Sequence, residues 1–313
     1  MCNSPLVSIV AVCYNHEEYV VETLNSIVDQ TYANIQLIIM EDYSSDNSVQ
    51  VIKDWIKVKN VECTFIPHKE NRGLCKTLNE ALTYVNGEYY QAISCDDVLM
   101  HDKISKQVSI FKKYPDIAVV SSNMKKIDSA SNILDNNGNN SNSVCGLRKA
   151  NELFKILLLG CIIEAPTVLI KKSYLPNANV YDENLISEDW DLWLKLALNY
   201  DFYIMEEALV KYRILPTSLS STLRDSPKKS KEIIIILSKY LGLQEETDQL
   251  IKRHVEILKR KLYNYTFSAL YTGATPAIEY FVKLKSLLRF NNRVKNLKKQ
   301  INQKSMQLVY CLK

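Results

Sequence analysis

The feature that most constrains this chain is an alternation, repeated through its first third, between apolar runs rich in β-branched residues and stretches with helical spacing. "LVSIVAVCY" (6–14) is an unbroken run of the kind a strand covered on both faces needs, and "EEYVVETLNSIVDQ" (17–30) follows with Val20, Leu24, Ile27 and Val28 at helical intervals. "IQLIIMED" (35–42) repeats the strand pattern. "DNSVQVIKDWIKV" (46–58) then puts Val49, Ile52 and Ile56 on one helical face, with Asp46 as its expected N-cap. "VECTFIP" (61–67) reads as a third strand. After "NRG", "LCKTLNEALTYV" aligns Leu74, Leu78, Ala81, Leu82 and Val85, and "GEYYQAIS" supplies a fourth strand. This order predicts an α/β fold, a mostly parallel central sheet with helices on both faces.

Ligands of such open sheets bind beyond the carboxyl ends of strands, near a switch in strand order. Three of the expected ends carry polar groups: Tyr14-Asn15-His16, Glu41-Asp42 and Asp96-Asp97. The adjacent aspartates of "ISCDDVL" (93–99) admit two readings. One has them capping the helix that "HDKISKQVSIF" begins. In the other, acidic groups at 41, 42, 96 and 97 share one sheet edge and need a cation or donors to offset their repulsion. A hard divalent ion, Mg²⁺ or Mn²⁺, bound jointly by a carboxylate and a diphosphate, meets that need. Asp189, in "SEDWDLWLKLALNY", poses the same choice: a carboxylate favoured in the first turn of a helix, or a general base. Trp190 and Trp193 lie near one apolar stripe, which suits core better than a sugar-stacking platform.

With 313 residues, 47% of them hydrophobic, the chain can bury one sizeable core and a second small one. Its longest apolar stretches, at 156–163 and 233–237, fall short of the roughly 20 residues that span a bilayer. The start, "MCNSPLVSIV", has no basic leader, so a cytoplasmic protein is expected. Eight cysteines without a CxxC pair and four scattered histidines favour reduced thiols over zinc or disulfides. Beyond residue 100 the pattern predicts a helix near 102–114, a strand at 117–124, and a loop rich in Asn and Ser flanking a hairpin turn. A helix in "ELFKILLLG" and a strand in "APTVLIKK" follow. From about residue 225 only helices are expected, with Ser226-Pro227 and Thr275-Pro276 as starts and Gly242 and Gly273 as stops. Two regions result, 1–222 and 223–313.

Net charge is +4, yet residues 280–313 hold nine Lys or Arg and no acid, leaving 30 basic against 35 acidic residues elsewhere. Leu284, Leu287, Leu288, Val294, Leu297 and Ile301 run as an apolar stripe among these cations. The pattern fits a helix lying on a membrane surface, or equally a packed helix with a solvated basic face. No interleaving of aromatic and basic residues on the sheet points to nucleic acid as a partner.

Seven segments, taken in order, resemble the family 2 glycosyltransferases with the nucleotide-sugar-binding GT-A fold: "VSIVAVCYNHEEYVVETLNSIVDQTY", "IQLIIMEDYSSDNS", "NRGLCKTLNEAL", "GEYYQAISCDDVL", "APTVLIKKSYL", "SEDWDLWLKLA" and "VKYRILPTSLS". The resemblance covers residues 5–221 and implies a GT-A catalytic domain followed by an all-helical C-terminal extension. It further implies inverting transfer from a nucleoside-diphosphate sugar, UDP first, to a hydroxyl of a saccharide or lipid-linked acceptor in surface-polysaccharide synthesis (O-antigen or capsule). A lipid-linked acceptor would hold the enzyme peripherally at the inner face of the cell membrane. Carried over residue by residue, it implies that the turn Val12 to Tyr14 and the side chain of Asp42 hold the base, with Asn71 and Gly73 lining the same pocket. Aligned on the family's Asp-x-Asp signature, "SCD" places Ser94 near the ribose and makes Asp96 the ligand of Mg²⁺ or Mn²⁺. Asp97 becomes an extra acid acting through water or holding the loop, and Asp189 the catalytic base with Glu188 beside it. Two positions depart from the pattern. Ser94 stands where a carboxylate is common, and Leu215 stands where many relatives have a histidine that reaches the metal. Both imply a metal site that leans on the substrate diphosphate. Three other readings compete: a non-catalytic nucleotide-sugar-binding module, expected to lack Asp189 or Asp96; a protein-modifying glycosyltransferase; and a nucleotide-sugar pyrophosphorylase, whose Gly-rich loop is absent.

Overall fold

The first strand, β1 (Val7–Cys13), is buried at every position because it lies between two parallel neighbours, β2 (Ile35–Glu41) and β4 (Tyr89–Ser94). The structure, a computed structural model, describes residues 4–135, 144–223 and 226–271. Contacts divide the chain into two compact units, Met1–Thr222 and Leu223–Lys313.

In the first unit, α1 (Val20–Val28) joins β1 to β2, α2 (Ser48–Lys59) leads to β3 (Thr64–Pro67), and α3 (Leu74–Ala81) leads to β4. The chain continues through β5 (Val98–Leu99), α4 (Lys103–Lys113), β6 (Val119–Ile127), β7 (Ile133–Asp135), β8 (Gly146–Arg148), α5 (Ala150–Leu157), β9 (Leu169–Lys171), α6 (Glu188–Ala197), β10 (Phe202–Arg213) and α7 (Leu219–Leu223). The sheet order is β3-β2-β1-β4-β9-β6-β10-β5, with β7 added to β6 and β8 to β10. β1, β2, β3, β4, β6 and β10 share one direction. The reversed strands β5, β7, β8 and β9 have two or three residues each. The expected mostly parallel α/β sheet is therefore what forms.

Alternation along the strands assigns the faces. Val7, Ile9, Ala11 and Cys13 point with Leu37, Ile39, Tyr89 and Ile93 into one core, covered by Val20, Leu24 and Ile27 of α1, Ile52 and Trp55 of α2, and Ile104, Val108 and Phe111 of α4. Each large side chain fully buried there contributes about 1.5–3 kcal/mol. The opposite face, with α3 packed on β1 and β2, presents Val10, Val12, Ala92 and Ser94. Gly87 lets β1 and β4 meet. A Cβ there would lie 2.6 Å from Ser8 N, 2.7 Å from Tyr89 O and 2.8 Å from Leu6 O, all of them backbone.

Three local expectations change. Asp46 is not the cap of α2: Asn47 occupies that position, while Asp46 Oδ1 accepts the Ser48 N–H (2.9 Å) and Oδ2 the Glu17 N–H (3.0 Å), tying together the turns after β1 and β2. Only Leu169–Lys171 of "APTVLIKK" is strand, because Pro166 starts the segment in a 3₁₀ turn, Ala165–Thr167. The 12-residue β10 gave no strand signal. Register shifts between Ile204 and Val210 interrupt its alternation around the exposed pair Glu206-Glu207.

In the second unit, α8 (Pro227–Ser238) and α9 (Glu245–Tyr271) pack through Ile234, Leu258 and Leu262. Ser226 Oγ accepts the Lys229 N–H (3.1 Å) with Pro227 in the first turn, the cap anticipated there. Thr275-Pro276, Gly273 and the basic stripe after residue 280 lie outside the described residues. Among those described, no helix is long and apolar enough to cross a membrane.

Candidate active site

Strand register fixes which side chains meet. Cys13 pairs with Glu41 and Val12 with Ser94, and the ladder runs on past the strand ends. Asp42 N–H donates to Cys13 O (2.9 Å), Cys95 N–H to Val12 O (2.9 Å) and His68 N–H to Glu41 O (2.8 Å). Tyr14, Asp42, His68 and Asp96 therefore leave the sheet along one edge.

Asp42, 3% exposed, organises the "NRG" turn. Its Oδ1 accepts the Arg72 N–H (2.8 Å) and lies 2.8 Å from His68 Nδ1, Oδ2 accepts the Gly73 N–H (2.9 Å), and its carbonyl accepts from Asn71 Nδ2 (3.1 Å). Gly73 has φ +81°, so glycine suits this entry into α3. Asp42, Asn71 and Gly73 are thus brought together, with Asp42 serving the loop through both oxygens. Tyr14 is 47% exposed beside them.

The two aspartates after β4 divide their tasks. Neither caps a helix, since α4 starts at Lys103 with Asp102 in the cap position. Asp97 turns inward: Oδ1 accepts the Arg213 N–H (2.9 Å) and its carbonyl accepts the Thr23 hydroxyl (2.7 Å). Burial holds its carboxyl well above the usual carboxylate range; the charge of Asp96 adds to this and Arg213 opposes it. Asp97 is built into the scaffold through these bonds. The Asp96 side chain, only 10% exposed, instead stays at the strand edge, its Oδ2 3.8 Å from His16 Nε2. Ser94 is the exposed end of β4, on the face of Val12.

Arg213 had no assigned role in the sequence reading, yet it fastens this loop. Fully buried, it donates from Nε to the Asp96 carbonyl (2.7 Å), from Nη1 to the Asp128 carbonyl (2.9 Å) and from Nη2 to Glu22 Oε2 (2.6 Å). Its guanidinium stacks 4.6 Å from the Tyr19 ring. An arginine among apolar residues late in the chain carries no sequence mark of a contact more than a hundred positions away. Leu215, in place of a histidine, is 7% exposed.

Glu188 and Asp189 occupy the first turn of α6, where Asp189 Oδ1 accepts the Trp190 N–H (2.6 Å). They are linked electrostatically to the sheet face that bears Ser94. Tyr90 of β4 and Tyr181 share a hydroxyl contact (3.0 Å), and the Tyr181 phenol, pushed up first by burial and then by Tyr90, also feels both carboxylates. Trp190 and Trp193 are core, donating to the carbonyls of Leu157 (2.9 Å) and Ile163 (3.1 Å).

Could this edge hold a divalent metal? Among the described residues no group of three His, Cys, Asp or Glu side chains converges on one point. The donor set offers one largely buried carboxylate at the strand edge, Asp96, which fits an ion completed by oxygen ligands of a bound diphosphate and not an all-protein cage.

Residues 8–159 match the family described as Glycosyl transferase family 2. An uncharacterized glycosyltransferase of Methanocaldococcus jannaschii is 30% identical over 215 residues, covering 68% of this chain and 72% of that one. The shared stretch spans 34% of two longer relatives from Rickettsia. Among solved structures, residues 1–349 of Staphylococcus aureus TarS in complex with UDP-GlcNAc align with a TM-score of 0.63 at 20% identity, covering 80% of this chain and 71% of that one. The mannosyltransferase PcManGT of Pyrobaculum calidifontis, in complex with GDP-Man and Mn²⁺, aligns with a TM-score of 0.59 at 14% identity, covering 91% and 81%. These likenesses establish the GT-A type of fold, and with the sequence matches they place the chain in glycosyl transferase family 2, as a glycosyltransferase.

Proposed function

We propose that this chain transfers a sugar, with inversion, from a nucleoside-diphosphate sugar, UDP-linked in the first instance, to a hydroxyl of a saccharide or lipid-linked acceptor in surface-polysaccharide synthesis. The observation that carries this is the shared edge: Tyr14 and the Asp42-Asn71-Gly73 turn stand beyond β1 and β2, and Asp96 beyond β4. A nucleoside held by the former leaves its diphosphate at the latter. Val12 and Ser94 form the floor between them.

In this reading Asp189 takes the proton from the acceptor hydroxyl as oxygen attacks the anomeric carbon, and Glu188 shapes its surroundings. Asp96 is the protein ligand of Mg²⁺ or Mn²⁺. When bound, that ion supplies positive charge where the departing diphosphate accumulates negative charge. Asp97 and Arg213 keep the Asp96 backbone in place. A protein acceptor is the second reading, and no observation favours it over a glycan.

The test is Asp189→Asn, assayed with a panel of nucleotide sugars and with product stereochemistry determined. A positioned base contributes about 10²- to 10⁴-fold, so kcat/KM is expected to fall by that factor while donor binding stays unchanged. A variant that keeps most of its transfer rate, or a product of retained configuration, overturns the assignment.

A further inference from the structure

Tyr43 is an exposed aromatic residue at the nucleotide-facing edge that the scheme above leaves unused. It follows Asp42 in the turn beyond β2, and its backbone has φ +62°. That is the left-handed region, in which a bulky side chain is an outlier. Its ring is 56% exposed. The turn is held by other groups: Ser44 N–H donates to Glu41 Oε1 (2.8 Å), Asn15 N–H to Ser44 Oγ (2.8 Å), and the Arg72 and Gly73 amides fix Asp42. Packing therefore does not require an aromatic ring at this position. A strained backbone that turns an apolar ring toward water gains nothing within the fold, and such strain collects where a ligand uses it.

Position narrows the ligand. Tyr14 is likewise exposed, and it leaves β1 level with Asp42, the residue before Tyr43, since Cys13 and Glu41 are paired and the Asp42 N–H donates to Cys13 O. Asp96 leaves β4, two strands away from β2 in the order β2-β1-β4. Two strand spacings are about 10 Å, enough to separate a nucleobase from the diphosphate attached to its ribose.

We propose that Tyr43 is a specificity-determining residue that packs against the nucleobase of the donor, giving it a second aromatic surface beside that of Tyr14. The inference rests on the nucleotide-sugar reading and adds a contact to it.

The test compares wild type with Tyr43→Gly and Tyr43→Asn. Both replacements tolerate φ +62° better than tyrosine, so melting temperatures should stay within about 3 °C of wild type. Calorimetric titration with UDP, GDP and TDP in Mn²⁺ finds the tightest nucleoside diphosphate for wild type, and inorganic pyrophosphate serves as the probe without a base. Base stacking on an aromatic ring implies a rise in Kd for the nucleoside diphosphate of about tenfold in both variants, with pyrophosphate affinity unchanged. Unchanged nucleoside diphosphate affinity overturns the role of Tyr43 and leaves the nucleotide-sugar reading standing. An equal loss for pyrophosphate, or a melting temperature lowered well beyond 3 °C, also overturns it, because the ring then acts through the loop. A wild-type protein that binds none of the three nucleoside diphosphates refutes the underlying reading, and the inference with it.

Discussion

Arg213→Met removes the fastening of the Asp96 loop while keeping a long apolar side chain in its place, and its cost can be worked from the contacts. The ion pair with Glu22 is the smaller part. The Glu22 side chain is 40% exposed, so solvent screens it and the pair is worth about 0–1 kcal/mol. The carbonyl contacts matter more. Asp96 O, buried, loses its arginine donor, and an acceptor left so costs about 1–3 kcal/mol, whereas Asp128 O keeps the Ser131 N–H and loses only the net worth of one hydrogen bond, about 0.5–1.5 kcal/mol. The sum, about 1.5–5.5 kcal/mol, brackets the usual penalty of about 3–5 kcal/mol for breaking a buried charged network. For a unit of this size that lowers the melting temperature by about 10 °C. Transfer measured well below both transitions should fall as well, because the Asp96 backbone is no longer held by Nε. Arg213→Lys should recover little of either loss, since one ammonium cannot reach the acceptors that the planar guanidinium spans. Glu22→Gln separates the terms and should cost less than about 1 kcal/mol. Differential scanning calorimetry with a transfer assay on all three variants decides it. A Met variant within 3 °C of wild type, or a Gln variant as damaged as the Met one, would refute the reasoning.

Lys103 is fully buried, donating to Gln91 Oε1 (2.6 Å) and Gln107 Oε1 (2.7 Å), and burial holds its amine well below the usual lysine value of 10.5. Between that depressed value and 10.5 the unfolded chain binds more protons than the folded one, so wild-type stability should rise against Lys103→Met as pH increases through this window and level off above it. A melting-temperature difference that does not vary with pH would sink that claim. Gly87→Ala forces a methyl against three backbone atoms, so destabilisation of about 3 kcal/mol or more is expected, read as a lowered denaturation midpoint. Asp96→Asn should reduce transfer about a hundredfold and raise the Mn²⁺ concentration needed for half-maximal rate, with activity also lost to chelator. Transfer indifferent to both would remove the metal from the scheme.

The first four parallel strands and their helices were legible because each obeys a single local period: buried runs for β1 and β2, helical spacing for α1, α2 and α3. β10 was not, since its bulges break the alternation that would reveal it. β5 and β8 are two or three residues long and exist through pairing with β10, more than fifty positions further along the chain, which leaves no periodic trace in a sequence. The site divides in the same way. Asp42, Asn71, Gly73 and Asp96 could be singled out because they fall in the segments that resemble the family. Arg213 and the αL geometry of Tyr43 could not, being set by tertiary register and backbone torsion.

The pair Asp96-Asp97 ties these two kinds of information together. Equal in sequence, the two residues differ because β10 passes beside the loop after β4: Val98 and Leu99 pair with Lys211 and Val210, which brings Arg213 level with Asp96 and Asp97. The backbone N–H of Arg213 donates to the carboxylate of Asp97 and its guanidinium to the carbonyl of Asp96, so Asp97 is drawn inward while Asp96 is fastened to Arg213 through its main chain. The Asp96 carboxylate is left at the edge facing His16, 3.8 Å away, with coordination capacity to give to a ligand. A fixed backbone behind a carboxylate at the strand edge suits a metal that would be shared with substrate. Asp96 would hold such an ion together with the substrate diphosphate, the protein supplying position more than affinity.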